Sequence, residues 1–369
     1  MQVGRLLADP HGHGTARDFH RWRDEVRERV DRHLGEFVAR RCAEHVRDVP
    51  GAELMREVLA EAVRGGKHLR SVLTYLGWRC GADESDAALR AAAGIELLHA
   101  FALMQDDVMD GSRLRRGRDA VHVRFARWHA EQGLSGSSTR FGESAATLLS
   151  DLCLVWAEQA MRESGVGAAA LRRAWPRYDA LRSELAVGQF ADLVNDARRE
   201  PGLDEVLAVA RRKSGDYTVR GPLELGADLA GCGRRVLAVL GEFGSLVGEA
   251  FQLRDDVLGV FGSEDATGKP SGDDLREGKA TSVVVLARAL AGPGDRARLD
   301  ELARGDPLDD AAVDAGRELI ARTGALERVE ELIAERVEAA LALLPGSGLP
   351  GFAATGLREM AVQCTDRMR

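Results

Sequence analysis

The sequence predicts an all-α protein, and three features indicate this fold class. Ala, Leu, Arg and Glu dominate from about residue 16 to the end of the 369-residue chain, and most of them favour helices. Apolar residues recur at helical spacing, while the strict alternation typical of strands is almost absent. Gly and Pro mark the breaks between the periodic segments. We therefore expect a single large helical bundle.

The periodic segments give the expected helices in chain order. Each break carries Gly or Pro or a short polar run, which stops a helix. The candidate helices span residues 16–47, 53–63, 67–80, 86–110, 118–131, 141–163, 167–196, 203–230, 233–260, 280–291, 308–321, 324–343 and 351–365.

The domain organisation is inferred from the absence of a linker between these helices. A chain of 369 residues exceeds the usual size of one domain, so two domains would be the default. No linker rich in Pro, Gly or Ser divides the sequence, however. We expect a loose N-terminal tail over 1–15 and a single helical domain over 16–369. The tail has no apolar core, so it does not predict a signal peptide.

Charge and cysteine content restrict the partners and the compartment. The net charge of −8 argues against nucleic acid or an anionic membrane as the main partner. No apolar run is expected to span a membrane, so we expect no stable membrane insertion. The five cysteines are odd in number, scattered and without CxxC spacing, which indicates reduced thiols in a cytoplasmic protein.

Two acidic clusters carry the first functional prediction. Asp106 and Asp110 are four residues apart and therefore stack on one helix face, and Gln252 and Asp255 share a face in the second cluster. Aligned carboxylates repel each other unless a cation lies between them. Mg²⁺ prefers carboxylate oxygens together with water and substrate phosphate. The two clusters together predict that the chain binds a diphosphate through metal.

Lysine usage supports the same prediction. Among 51 Lys and Arg residues only four are lysines, and each stands in a segment marked by glycine or acidic residues. Lysine is a compact point charge that commonly binds phosphate, whereas arginine presents a rigid planar fork. These lysines are Lys67, Lys213, Lys269 and Lys279.

With further motifs, the chain resembles the trans-isoprenyl diphosphate synthases. The matching motifs keep the order of that family and span about residues 60 to 290. They are Gly65-Gly66-Lys67-His68-Leu69-Arg70, Glu96-Leu97-Leu98-His99, Asp106 to Asp110, Arg115-Arg116-Gly117, Gly188-Gln189-Phe190-Ala191-Asp192, Lys213-Ser214-Gly215, Phe251 to Asp256 and Gly268 to Lys279.

The resemblance implies a type I isoprenoid synthase fold and a Mg²⁺-dependent head-to-tail condensation of isopentenyl diphosphate with an allylic diphosphate. It implies that Asp106 and Asp110 hold Mg²⁺, that Asp255 holds Mg²⁺ as well, and that Asp107 and Asp256 support them. It also implies three ions in the ternary complex and a homodimer.

The resemblance further divides the basic residues between the two substrates. Lys67, Arg70, His99 and Arg116 match positions that bind isopentenyl diphosphate without metal. The allylic diphosphate would be bound by Arg115, Lys213 and Lys269, assisted by Ser214, Gln189, Gln252 and Lys279. No protein general base is obvious, and the family's mechanism gives the final proton to the departing diphosphate.

The chain departs from the family pattern at four positions. Gly259 stands where the second cluster usually has another Asp, so one carboxylate is missing there. His68 replaces a usual arginine and Ser71 a usual proline. Ser214 replaces a frequent threonine but keeps the hydroxyl.

Product length depends on the two residues that precede the first cluster by one turn. Phe101 lies five residues and Ala102 four residues before Asp106. In the family, a single aromatic at the first place with a small residue at the second resembles synthases that make the twenty-carbon geranylgeranyl diphosphate. Farnesyl diphosphate is the alternative product.

Two other classes remain to be compared with this prediction. A class I terpene cyclase shares the helical fold and the metal chemistry, but its second motif needs Asn, Ser or Thr, and Glu, which Asp255-Asp256 does not match. An inactive partner subunit of a hetero-oligomeric synthase normally loses its aspartate clusters, whereas the first cluster is intact here.

Overall fold

In a computed structural model of the chain, the structure describes residues 15–197, 202–263, 271–302 and 308–366. Helices make up most of this part, so the all-α prediction is confirmed. The helices are α1 (Ala16–His45), α2 (Ala52–Ala62), α3 (Leu69–Arg79), α4 (Asp86–Met109), α5 (Val121–Glu131), α6 (Ser138–Arg162), α7 (Ala168–Ala197), α8 (Leu203–Ala210), α9 (Gly221–Ala230), α10 (Arg234–Phe261), α11 (Asp273–Arg276), α12 (Ser282–Leu290), α13 (Pro293–Leu302), α14 (Asp310–Arg322), α15 (Ala325–Ala342) and α16 (Gly351–Thr365).

The exceptions to regular α-helix are short. Strands β1 (Leu114–Arg115) and β2 (Arg118–Asp119) pair antiparallel after α4, so the helix predicted from residue 118 begins only at Val121. The helix predicted over 203–230 is interrupted by a π-helical segment, Arg211–Arg220. The sequence prediction also missed α11 and α13.

Side-chain caps explain where several helices begin. The hydroxyls of Ser85 and Ser137 each accept a hydrogen bond from a backbone N–H in the first turn of α4 and α6, at 3.3 Å. The Asp309 carboxylate accepts one at 2.8 Å at the start of α14. Such caps satisfy backbone donors that the first helical turn leaves unpaired.

Packing divides the chain into two compact units. The N-terminal unit comprises Arg17–Ala174 and Gly226–Gly231, and the C-terminal unit comprises Trp175–Leu225 together with the chain from Cys232 onward. The expected single domain over 16–369 stays a prediction. The expected tail falls almost wholly on residues 1–14, which lie outside the described residues.

In the N-terminal unit, α4 forms the centre of the core. It packs against α3 and α6, and most of its residues are buried, including the glutamate Glu96. Helix α5 approaches α6 closely at Gly142, where a Cβ would lie 2.9 Å from the backbone nitrogen of Ala126. Any larger residue at 142 would force these two helices apart.

In the C-terminal unit, α10 has the corresponding central position. It packs against the π-helical segment, α15 and α16. Two glycines allow a close approach here: a Cβ on Gly248 would lie 2.5 Å from the carbonyl oxygen of Gly215. This contact sets the backbone of the predicted Lys213-Ser214-Gly215 motif directly against α10.

Helices α4 and α10 also correct one expectation. Each is long and apolar enough, by length and composition alone, to cross a membrane, although the sequence analysis expected no such run. Their apolar windows are 67% and 56% buried inside the structure. Burial of this kind is typical of the core helices of a folded domain.

Candidate active site

The first acidic cluster lies at the C-terminal end of α4. The helix continues geometrically through Asp110, whose backbone N–H donates to the carbonyl of Asp106 at 2.9 Å, so the two side chains are one turn apart. Both residues are half-buried, whereas Asp107 between them is only 3% exposed. The pair therefore has the spacing that the sequence predicted, and Asp107 points into the protein.

Asp107 holds the side chain of Arg115. The Arg115 Nε donates to Asp107 Oδ1 at 2.8 Å, and Nη2 makes a second contact with the same oxygen. Nη2 also lies 3.4 Å from Asp106 Oδ2. Burial alone would lower the pKa of Arg115, but the hydrogen bond that Arg115 donates to Asp107 and the charges of Asp107, Asp106 and Asp110 raise it. This geometry supports a positioning role for Asp107.

A tight hairpin presents the next arginine. Strands β1 and β2 are joined by a two-residue loop, Arg116-Gly117, with φ angles of 53° and 71°. Left-handed conformations at both loop residues define a type I′ turn. A non-glycine residue in this conformation carries backbone strain, which often marks a functional segment. Arg116 is exposed at the tip, while Arg115 at the base is tied to the acidic cluster.

His99 lies in the field of several arginines. Burial lowers its pKa well below the ordinary value, the charges of Arg70, Arg116 and Arg115 lower it further, and only Glu96 opposes them. A histidine in this environment is neutral at physiological pH and presents one N–H donor. Three arginines that the sequence assigned to diphosphate binding therefore lie within electrostatic range of His99.

His68 connects three helices through two carboxylates. It caps α3 in the left-handed conformation, with φ 45°, and is 4% exposed. Its Nε2 lies 2.6 Å from Asp31 Oδ1 on α1, and its Nδ1 lies 3.4 Å from Glu96 Oε2 on α4. Burial alone would lower the pKa of His68, but the hydrogen bonds and charges of Glu96 and Asp31 raise it.

Glu96 is the buried centre of this network. Its Oε1 accepts hydrogen bonds from the backbone N–H of Ser71 at 3.1 Å and from the Ser71 hydroxyl at 3.0 Å. Burial alone would raise the pKa of Glu96, but His68 and the charge of Arg70 are among the groups that lower it to about 2. A proline at 71 would lack both donors. The two residues that differ from the family pattern here, His68 and Ser71, therefore contact the same Glu96 carboxylate.

The same network fixes the Gly65-Gly66-Lys67 turn. Asp31 accepts a hydrogen bond from the backbone N–H of Gly65 at 3.3 Å, in addition to its contact with His68. Lys67 is exposed and Arg70 is half-buried on the first turn of α3. The two cations are therefore presented from a turn that is held at both ends.

In the C-terminal unit, the second acidic cluster lies on α10. Asp255 is half-buried, whereas Asp256 is only 6% exposed and both of its carboxylate oxygens accept hydrogen bonds. The Asp256 carboxylate accepts the Ser282 N–H at 2.9 Å, the Ser282 hydroxyl at 2.6 Å and the Gln252 amide at 2.8 Å. Burial raises the pKa of Asp256, and these hydrogen bonds oppose the rise. Asp256 and Gln252 therefore support each other beside Asp255.

The remaining predicted residues lie on three segments. Lys279 pairs with Glu277 at 2.7 Å, and Gln189 is half-buried on α7. Lys213 and Ser214 belong to the π-helical segment, but their side chains lie outside the described residues, as does the whole of Lys269. Extended π-helix is rare and is often found at functional sites.

Both clusters offer the oxygen donors that a hard divalent cation requires. In the part of the chain that the structure describes, no three Asp, Glu, His or Cys side chains gather closely enough to enclose an ion unaided. Mg²⁺ does not need such a cage, because it retains waters and binds one or two carboxylates together with substrate phosphates. The Asp106–Asp110 pair and Asp255 fit that type of binding.

Comparison with known proteins decides the family. The polyprenyl synthetase family model matches residues 52–320. A short chain isoprenyl diphosphate synthase of Methanothermobacter thermautotrophicus is 30% identical over 310 residues, covering 84% of this chain and 89% of that protein. A (2E,6E)-farnesyl diphosphate synthase of Mycobacterium tuberculosis is 32% identical over 309 residues, covering 82% and 80%. The chain belongs to the polyprenyl synthetase family.

A solved structure agrees with this assignment. The geranylgeranyl pyrophosphate synthase of Corynebacterium glutamicum, crystallised with isoprenyl diphosphate and magnesium, superposes with a TM-score of 0.89 at 32% identity. The match covers 93% of this chain and 99% of the other. The polyprenyl synthetase resemblance predicted from the motifs is confirmed, and the chain is an enzyme of the prenyltransferase class.

Two residues of this polyprenyl synthetase site were not predicted from the sequence. Asp31 lies in the first predicted helix without any assigned role, yet its carboxylate accepts a hydrogen bond from Gly65 and contacts the His68 imidazole. Glu96 was noticed only as part of a motif, and its role as the buried acceptor was not foreseen. The sequence signal for Glu96 was an acidic residue in an otherwise apolar stretch of α4, three residues before His99.

Proposed function

We propose that the protein condenses isopentenyl diphosphate head-to-tail with an allylic diphosphate in a Mg²⁺-dependent reaction. One observation carries this proposal. At the end of α4, the carboxylates of Asp106 and Asp110 stand one turn apart, while Arg70, Arg115 and Arg116 lie within electrostatic range of the neutral His99. Acidic metal ligands beside a cationic pocket suit a substrate that carries diphosphate.

Asp106, Asp110 and Asp255 would hold Mg²⁺, with Asp107 and Asp256 supporting them through Arg115 and Ser282. When bound, Mg²⁺ supplies positive charge that stabilises the diphosphate as it departs from the allylic carbon. The proposed number of ions is three in the ternary complex.

The basic residues divide the two diphosphates between them. Lys67, Arg70, His99 and Arg116 bind the diphosphate of isopentenyl diphosphate, with His99 donating one N–H. The allylic diphosphate is bound by residues from several segments. They are Arg115, Lys213, Lys269, Ser214, Gln189, Gln252 and Lys279.

The proposed reaction needs no protein side chain as a base. The bond between the allylic carbon and the diphosphate oxygen breaks, and the double bond of isopentenyl diphosphate supplies the electron pair for the new carbon–carbon bond. A proton leaves the product carbon to re-form a double bond and passes to the released diphosphate. The protein's part is to orient both substrates and to stabilise charge.

Geranylgeranyl diphosphate is the proposed product. Phe101 and Ala102 are both half-buried on α4, one turn or more before Asp106, where a growing prenyl tail would pass. One aromatic and one small side chain leave room for a longer tail than two aromatics would. Identity does not separate the products, because the farnesyl synthase relative and the geranylgeranyl synthase structure are each 32% identical.

We further propose that the enzyme is a cytoplasmic homodimer. On α6, Leu148 and Val155 are 65% and 58% exposed, and their separation of seven residues places them on one helix face. An apolar helix face of this kind suits contact with a second copy. All five cysteines are free, as expected in a reducing compartment.

Product analysis tests the proposed function. Purified protein would be incubated with isopentenyl diphosphate, Mg²⁺ and, in separate reactions, dimethylallyl, geranyl or farnesyl diphosphate. We expect twenty-carbon product from each primer. A fifteen-carbon end product would replace the assignment by farnesyl diphosphate synthase, and no elongation with any primer would overturn the proposal.

Light scattering tests the dimer. The double variant Leu148→Asp/Val155→Asp should be a monomer. The control is Leu134→Asp, a change at an apolar residue outside α6 that is 45% exposed, and it should leave the dimer intact. A wild-type protein that elutes as a monomer would contradict the proposed assembly.

A further inference from the structure

The imidazole of His68 lies between two carboxylates. Its Nε2 is 2.6 Å from Oδ1 of Asp31, and its Nδ1 is 3.4 Å from Oε2 of Glu96. A neutral imidazole has one N–H and one lone pair, so it can donate to only one carboxylate and would turn its lone pair toward the other. Imidazolium has two N–H donors. The geometry therefore fits the protonated form of His68.

The groups around the ring keep this proton in place. The side chain of His68 is 3% exposed, against 9% for Glu96 on α4 and 42% for Asp31 on α1. Burial alone would lower the pKa of His68, but the hydrogen bonds and charges of Glu96 and Asp31 raise it. His68 therefore stays charged above the pH at which an ordinary histidine loses its proton.

His68 directly follows the Gly65-Gly66-Lys67 turn, which is assigned to isopentenyl diphosphate. Asp31 accepts the N–H of Gly65 at 3.3 Å and also contacts the His68 ring, so one carboxylate holds both ends of the turn. His68 has a left-handed backbone, with φ 45°. Because this conformation is strained for a residue with a side chain, contacts must maintain it. The position of Lys67 thus depends on the contacts of its neighbour.

Glu96 connects the same ring to other groups of the proposed diphosphate site. Burial alone would raise the pKa of Glu96, but His68, His99 and Arg70 lower it to about 2. Glu96 is therefore ionised, and it attracts the charge of Arg70 as well as that of His68. A protonated His68 balances this carboxylate. Once His68 is neutral, Glu96 competes more strongly with a substrate diphosphate for Arg70.

We propose that the imidazolium of His68 positions the isopentenyl diphosphate site, and that the site loses affinity when this proton leaves. The charged ring holds the turn that carries Lys67 and balances Glu96 beside Arg70. This inference rests on the proposed function, since it concerns the diphosphate site assigned there. The arginine that is usual at this place in the family keeps its charge at any physiological pH, whereas histidine makes the affinity depend on pH.

Binding without turnover tests the proposal. Isopentenyl diphosphate would be titrated calorimetrically into metal-free wild type and His68→Gln from about pH 6 to about pH 9. At the acidic end, wild type should bind about 10-fold tighter or more, as expected for a lost hydrogen bond between charged groups. The two affinities should converge as pH rises. Their ratio cancels the titration of the substrate's own diphosphate, which is the same for both proteins.

Two further variants separate a positioning charge from simple packing. His68→Arg has a permanent charge and should keep its affinity at the alkaline end of the series. Asp31→Asn removes a carboxylate that raises the pKa of His68, so its loss of affinity should occur at lower pH than in wild type. The control is His45→Gln, a change at an exposed histidine on α1, and it should follow wild type throughout.

The outcomes distinguish this proposal from the proposed function. A ratio of wild-type to His68→Gln affinity that stays constant with pH overturns the role of His68, and so does an unshifted transition in Asp31→Asn. Wild type that binds no isopentenyl diphosphate at any pH contradicts the proposed function instead. Wild type that elongates prenyl substrates while the ratio stays constant contradicts only the role of His68.

Discussion

The Nε2 atom of His68 lies 2.6 Å from Oδ1 of Asp31, and this contact joins α1 to the turn that carries Lys67. On its other side the imidazole faces Glu96, which the hydroxyl and N–H of Ser71 also bind. Two residues that depart from the family pattern thus form one buried polar network. Such networks stabilise a single arrangement when every member is satisfied.

The first prediction concerns the pH dependence of stability. The pKa of His68 is raised, so its contribution to the free energy of unfolding is complete below its ordinary value of 6.5 and is lost as pH rises through the folded-state pKa. The pKa of Glu96 is lowered from 4.5 to about 2, so its contribution is lost only as pH falls through about 2. The network should therefore stabilise most between about pH 4.5 and 6.5.

Thermal and denaturant unfolding of His68→Gln checks this prediction. Within that window the variant should lose about 1.5–3 kcal/mol relative to wild type, as expected for a hydrogen bond to a charged group. The loss should shrink as pH rises. His45→Gln, a change at an exposed histidine on α1, serves as the control. A stability difference that does not vary with pH would contradict a charged His68.

The second prediction concerns Asp256 and Ser282. Ser282→Ala removes one of the donors to the buried Asp256 carboxylate and should cost about 1.5–3 kcal/mol in the free energy of unfolding. Because Asp256 supports Asp255, the Mg²⁺ concentration for half-maximal activity should also rise. Ser183→Ala, which removes a hydroxyl bonded only to its own helix backbone, should change neither quantity. Equal effects of the two variants would contradict the supporting role.

Some of this site was predictable from local sequence, and some was not. The Asp106–Asp110 spacing depends on helix geometry alone, so the sequence predicted it correctly. The contact of Asp31 with His68 joins residues 37 positions apart on different helices, and no local pattern encodes it. Likewise, nothing in the periodicity indicates that the Asp274 carboxyl group lies against the backbone of Gly259. The helix predicted over 203–230 missed the π-helical segment Arg211–Arg220, because no local pattern in the sequence distinguishes i→i+5 from i→i+4 hydrogen bonding.

The third prediction separates the two substrates kinetically. Lys67→Ala and Arg70→Ala should chiefly raise the KM for isopentenyl diphosphate, because they remove cations assigned to that diphosphate. Lys213→Ala and Lys269→Ala should instead impair use of the allylic substrate. Arg64→Ala, a change at an exposed arginine near Lys67, should leave both KM values unchanged. If all four lysine and arginine variants affect one substrate alike, the division of the residues is wrong.

The fourth prediction concerns product length. Phe101 lies roughly 7 Å before Asp106 along α4, so Phe101→Ala should open space along the path of the tail and give products longer than those of wild type. Ala102→Phe should shorten the product by one five-carbon unit, because its ring closes the same space. Chromatography of the dephosphorylated products measures both changes. Opposite shifts cannot arise from a general loss of stability, and an unchanged distribution in Phe101→Ala would remove this residue from the tail path.

The central claim is that Asp106 and Asp110 enable a Mg²⁺-dependent prenyl transfer, and incorporation of radiolabelled isopentenyl diphosphate tests it most directly. Wild type should incorporate label with Mg²⁺ and not with EDTA. Asp106→Ala and Asp110→Ala should lose on the order of 10³-fold or more in kcat while remaining folded. Asp151→Ala, a change at an exposed acid on α6, should retain wild-type activity. Incorporation that persists in EDTA, or in both cluster variants, would contradict the account.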